Sequence, residues 1–214
     1  MAELNANAIS GEVQGFVNIE FRTHSTLVQL DTGADDPTNQ LSQIRILELT
    51  AVFEDILSRL PHSPLILTGN QQFFSAGADL NEIAALIGSE AREFAAMGQR
   101  LMNLIDHHPA PVLAAIRGYC MGGGLDMALA CDYRIASPEA IFGHRGAALG
   151  IITGWGGTQR LPRLIGKPRA LQMFLAAEKL SAPEALRIGL LERIEEDPLR
   201  AAIRVAESYA APVS

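Results

Sequence analysis

Two short stretches restrict this chain more than any others: "PLILTG" at 64–69 and "PAPVLAAIRG" at 109–118. Each is a continuous apolar run that opens behind a proline and closes on a glycine. A strand with one wet face alternates apolar and polar residues. A run without alternation must be covered on both faces, which is the condition of a strand inside a parallel sheet. Parallel neighbours need a covering crossover between them, and helical patterns lie where crossovers belong. From Gln40 to Leu60 the apolar residues Leu41, Ile44, Leu47, Ala51, Ile56 and Leu60 recur at helical spacing. The chain therefore reads as α/β with mostly parallel sheet and flanking helices.

The rest of the sequence extends this pattern. "GFVNIEF" (15–21) and "STLVQLD" (25–31) read as strands, "DTGADDPTN" (31–39) and "QQFFSAGAD" (71–79) as loops. "LNEIAALIG" (80–88) predicts a short helix, and residues 89–108 a longer one. "YRIAS" (133–137), "AIFG" (140–143) and "LLERI" (190–194) read as strands. Helices are predicted within 154–166, 167–179 and 181–190. For the last of these, Ser181 is the expected N-cap and Glu184 its capping-box partner. A final helix at 197–210 has proline at its first position. The expected organisation is one core domain at 1–195 followed by a short C-terminal helix at 196–214.

Composition excludes several functions. Seventeen basic residues stand against 24 acidic ones, a net charge of −7, with no basic stripe. Nucleic acid and anionic membrane are not expected partners, since both require clustered Lys and Arg. The first residues show no charged-then-apolar targeting pattern, and no apolar run approaches a membrane span. Cys120 and Cys131 form neither a CxxC nor a disulfide framework, which suits buried thiols in a reducing, cytoplasmic setting. The five histidines make no metal motif, so neither a metal nor a separate cofactor is expected.

The chemistry concentrates in two glycine loops. "RGYCMGGGLD" (117–126) carries the chain from a buried strand straight into an apolar helix. The start of a helix exposes free N–H groups and the positive end of the dipole, and glycine lets a ligand approach them. "SAGAD" (75–79) offers a second set of N–H groups behind the other buried strand. Two such loops on adjacent strands can aim two donors at one oxygen, which is an oxyanion hole. Dinucleotide binding does not fit, because Met127 and Gln159 occupy the third-glycine positions of the two GxGxxG-like runs. There is no GK[ST] and no GxSxG.

"FFSAGADLNEI", "AAIRGYCMGGGLDMALACDYRIAS", "FGHRGAALGIITGWGGTQRLPRLIGKPRA" and "LSAPEALRIGLLERI" occur in that order. As an ordered set, from about Pro64 to Ile194, they resemble the enoyl-CoA hydratase/isomerase (crotonase) family. The resemblance implies a core of ββα turns wound into a spiral, and an acyl-CoA thioester as substrate, with coenzyme A part of that substrate. It implies that the N–H groups of Ala78 and Gly123 hold the thioester oxygen. Ala76, Asp79, Leu80, Gly122 and Gly146 are placed along the bound substrate. It further implies a lyase or isomerase of fatty acid metabolism and a homo-oligomer, expected to be a trimer. Further C-terminal helices usually cover the acyl pocket in this family, so a more open pocket is expected here.

Hydratases of the family use two glutamates. At the first position this chain has Asp126; at the second, in "FGHRG", it has Gly146. Asp126 is thus the one acid/base group at a family position, and simple hydration is expected to be weak. Beside Gly146, His144 and Arg145 are auxiliary candidates: the arginine for a substrate carboxylate, the histidine for a proton. Solvent-facing or loop-satisfying roles are the plainer expectation for both, and core packing for Trp155. The acidic "TGADDPTNQ" stands where the family usually has a basic residue near the CoA phosphates. Three readings follow: a one-carboxylate acyl-CoA enzyme, a decarboxylase or thioesterase, and a non-catalytic acyl-CoA-binding relative.

Overall fold

The computed structural model describes residues 8–33 and 36–210. In chain order the elements are β1 (Ala8–Gln14), β2 (Val17–Arg22), β3 (Thr26–Leu30), β4 (Gln40–Leu41) and α1 (Gln43–Arg59). Then come β5 (Leu65–Thr68), β6 (Phe73–Ser75), β7 (Gly77–Ala78), α2 (Leu80–Ala85) and α3 (Glu90–Asp106). β8 (Val112–Ile116), β9 (Tyr119–Met121), α4 (Gly123–Ala130), β10 (Tyr133–Ala136) and β11 (Ile141–Gly143) follow. After a 3₁₀ turn at Gly146–Leu149 the chain forms α5 (Gly157–Ile165), α6 (Lys167–Ala176), β12 (Leu180–Ser181), α7 (Ala182–Arg187), β13 (Arg193–Ile194) and α8 (Pro198–Ala210).

A seven-stranded sheet runs β1-β2-β3-β5-β8-β10-β13 and a four-stranded sheet runs β12-β11-β9-β6. β1, β2 and β3 are antiparallel neighbours; from β3 to β13 every pairing is parallel. Three times in succession a first strand (β5, β8, β10) enters the large sheet and the next (β6, β9, β11) enters the small one. This is the repeating spiral that the family resemblance implies.

The two apolar runs are covered on both faces, as their composition requires. Leu65, Leu67, Val112, Ala114 and Ile116 face the main core with α1, α3 and α4. Their neighbours Ile66, Leu113 and Ala115 face the other way, onto Ala201, Ala202, Ile203 and Ala206 of α8. Each apolar run thus serves two layers at once.

Some local expectations are corrected. Residues 71–79 are not simply loop but contain β6 and β7, and "GYCM" contains β9. Ser181 is the N-cap of α7, but its side chain makes no capping bond. Glu184 instead accepts from Arg169 (2.5 Å) and Arg187 (3.1 Å), so the expected capping box does not form. Ion pairing to two arginines outweighs one weak cap here.

Candidate active site

The two glycine loops touch. Gly77 has φ +94°, and a Cβ built on it would lie 2.7 Å from the Met121 carbonyl oxygen and 2.9 Å from the Gly123 nitrogen. Only glycine brings the β7 backbone this close to the start of α4. Gly122, the N-cap of α4 at φ 51° and ψ −120°, makes the turn out of β9 in a conformation that side chains avoid. Gly77 and Gly122 together place the first N–H groups of α4 against the β6–β7 segment, and Gly124 lets that helix start against Ser75. In that segment Ala76 N–H donates to the Thr38 carbonyl (2.9 Å), Gly77 N–H to Ser75 Oγ (3.1 Å) and Asp79 N–H to the Leu41 carbonyl (3.4 Å).

The other expected site residues fall in distinct places. Asp79 caps α2 through a 2.8 Å bond from Asn81 N–H, and Leu80 is exposed at the head of that helix. Ala76 and Gly122 are half-buried beside the two loops. Arg145 is exposed at the start of the 3₁₀ turn. Gly146, whose missing side chain suggests room beside His144 and Arg145, leaves no open space. A Cβ there would sit 2.6 Å from the Ile151 carbonyl oxygen, because the turn folds back and Ile151 N–H bonds the Gly146 carbonyl (3.0 Å).

Asp126 lies one turn into α4 and is 1% exposed. Thr153 donates its hydroxyl to Oδ2. Burial pushes the carboxyl up to about 7, against the opposing pull of the Thr153 bond, the Arg160 charge and the N–H groups of Trp155 and Gly157. Arg160 is itself held by Asp106 at 2.9 Å and Asn103 at 3.1 Å. His144 is not at the loop surface. It is 3% exposed, and its Nε2 lies 3.4 Å from Asp126 Oδ1. Burial pushes the imidazole down to about 4. Strand pairing brings the two together: His144 immediately follows β11, whose partner β9 feeds α4.

Gly157 completes the enclosure. A Cβ there would meet Asp126 Oδ1 at 2.1 Å and His144 Nε2 at 3.1 Å. Trp155, 3% exposed, packs its ring against Gly98, Gly123 and Phe94, with 5.3 Å between the two ring centroids. Core packing is its structural role. A cleft of about 560 Å³ opens beside Asp79 at the head of α1. Arg45 is the basic side chain lining it, and Asp36 holds that guanidinium. Among the described residues no cluster of metal-ligating side chains occurs, and no helix is long and apolar enough to cross a membrane.

A spiral of ββα turns with two converging glycine loops defines a crotonase-type fold. The sequence profile of the enoyl-CoA hydratase/isomerase family matches residues 23–212, and the chain belongs to that family. It is 40% identical over 184 residues to the crotonyl-CoA hydratase of Syntrophomonas wolfei, covering 84% of this chain and 69% of that protein. It is 39% identical over 159 residues to the short-chain-enoyl-CoA hydratase of Clostridium acetobutylicum, covering 74% of this chain and 61% of that one. The chain thus spans between three-fifths and seven-tenths of the length of these relatives. Among solved structures, Pseudomonas aeruginosa DspI superposes with a TM-score of 0.87 at 35% identity, over 95% of this chain and 83% of that one. An enoyl-CoA hydratase from Bacillus anthracis superposes at 0.85 with 36% identity, over 91% and 76%.

Proposed function

We propose that this chain binds an enoyl-CoA thioester and moves a proton along its acyl group, with Asp126 as the single carrier. The observation that carries the reading is a buried carboxyl, poised near neutrality, one helical turn beyond the loop contact between Gly77 and Gly123. The N–H groups of Ala78 and Gly123 hold the thioester oxygen as an enolate forms. Asp126 takes a proton from one carbon of the acyl group and returns it two carbons away, shifting the double bond. Isomerisation needs one proton carrier, whereas adding water needs one group to activate the water and another to protonate carbon. With Gly146 closed by Ile151, a second carboxylate is missing from its family position, so isomerisation is favoured over hydration. Exposed Arg145 gives little support to a decarboxylase reading. Asp126 is enclosed, with Thr153 and Gly157 against its carboxyl, so the acyl group must approach it past these two residues.

The test is turnover of 3-enoyl-CoA and crotonyl-CoA, followed by the absorbance of the conjugated thioester. Asp126→Asn is expected to lower isomerisation by about 10²–10⁴-fold while thioester binding persists. Unchanged turnover in that variant would overturn the role given to Asp126, and thioester binding with no turnover across a chain-length panel would overturn the enzyme reading and favour a binding protein.

A further inference from the structure

Asp126 Oδ1 and His144 Nε2 are both fully buried and face each other at 3.4 Å, and no hydrogen bond of normal geometry satisfies either atom. An ionised carboxylate facing an unprotonated ring nitrogen would set lone pair against lone pair in an apolar enclosure. One proton must therefore lie between them. Gly157 keeps them together, since any side chain there would enter the space between the two atoms. A resting carboxylic acid so enclosed also needs a route by which it sheds its proton to become the base that substrate requires, and regains it between turnovers. Imidazole provides one, because its two nitrogens can gain and lose protons on opposite sides of the ring.

We propose that His144 is the proton relay of Asp126, its Nε2 exchanging a proton with Oδ1 while Nδ1 exchanges the balancing proton with water. In the resting pair the carboxylic acid donates to Nε2 and the ring carries its proton on Nδ1. When the pair loses a proton, that of Oδ1 passes to Nε2 and that of Nδ1 leaves to water. The result is a carboxylate accepting from a neutral ring of the other tautomer, and the reverse path reloads the acid. His144 acts through Asp126 and is a positioning residue. This extends the isomerase reading, yet the proton shared by the pair exists whether or not the chain turns over any thioester.

The pair's surroundings are few. Arg160 approaches from α5 with its charge offset by Asp106, the Cys120 thiol lies below on β9, the Cys131 thiol ends α4, and the Phe174 ring stands 5.2 Å from the imidazole. Burial holds both thiols in the protonated form at neutral pH. Carboxyl and imidazole are pushed in opposite directions by burial, toward the neutral acid and the neutral ring.

The test is ¹⁵N NMR of the full chain with labelled histidine, together with ¹³C NMR of labelled aspartate, taken as a pH series. The expected result is that His144 stays neutral but changes tautomer as pH rises through about 7, with the midpoint of the Asp126 carboxyl. Asp126→Asn should abolish that step. A His144 ring that becomes imidazolium near its ordinary value of 6.5, or that keeps one tautomer throughout, overturns the proposal. In turnover, His144→Gln should lower kcat by about 10²-fold with KM little changed, and should displace the pH midpoint of the rate. Co-titration in a chain without turnover would leave the relay standing and remove only the isomerase reading. Turnover without co-titration would do the opposite.

Discussion

Single atoms decide what this chain can hold. Gly77 is the clearest case, because a methyl there meets the backbone of Met121 and Gly123 rather than a flexible side-chain end. Backbone atoms cannot swing aside, and φ +94° adds its own strain to any L residue. Gly77→Ala is expected to cost about 1–3 kcal/mol, read as a lower urea midpoint, and to separate the two loops. In the sequence the glycine-rich loops read as places where a ligand approaches free N–H groups, and the pairing of the two loops was legible; that Gly77 packs backbone on backbone is seen only in the structure. His144 was not legible in the same way. Its partner lies 18 positions away, and the contact follows only after β9 and β11 pair in register. A histidine beside an exposed arginine gives no periodic hint of which one turns inward.

Elements form where apolar demand is strong and become hard to read where it is weak. β5 and β8 were legible because every residue in them is buried. β6, β7 and β9 are two or three residues long, so no period can be seen in them. They exist because the small sheet and its neighbouring loops supply hydrogen-bond partners, which is information about other segments. The head of α1 shows the same dependence. Asp36 holds Arg45 across the mouth of the cleft, and its carboxyl stays below its ordinary value because bonds from Thr38 and Arg45 outweigh its desolvation. If the cleft receives the phosphates of a coenzyme A thioester, that arginine is already engaged. Asp36→Asn should free it and lower the Kd for the thioester about two- to fivefold, measured by calorimetry at low salt.

Across the whole molecule, the buried pair shapes how stability responds to pH. Folded Asp126 keeps its proton up to about 7, while the unfolded carboxyl loses it near 3.8, so the folded chain holds more protons in that window. Stability from this group therefore falls as pH rises through it. For His144 the folded value is about 4 against 6.5 unfolded, so the unfolded chain holds more protons and stability rises with pH. Each slope is at most about 1.4 kcal/mol per pH unit, and the two oppose each other over most of their range. Denaturant unfolding of the native chain should show little net slope from this pair in mildly acid solution. Asp126→Asn should uncover a rise with pH, and His144→Gln a fall.

The closed turn at Gly146 limits what a substitution can add to this chain. A glutamate at this position would have to displace the Ile151 carbonyl, which the Ile151 N–H bond to the Gly146 carbonyl holds folded back against the turn. Gly146→Glu is therefore expected to lower the melting temperature without raising crotonyl-CoA hydration, measured side by side with the native protein. A side chain can be added by one codon change only while its place stays vacant. Here backbone occupies that place, so a single substitution cannot fill it. Any variant meant to carry two carboxylates would need a rebuilt 146–151 turn first, a step that brings no gain of its own.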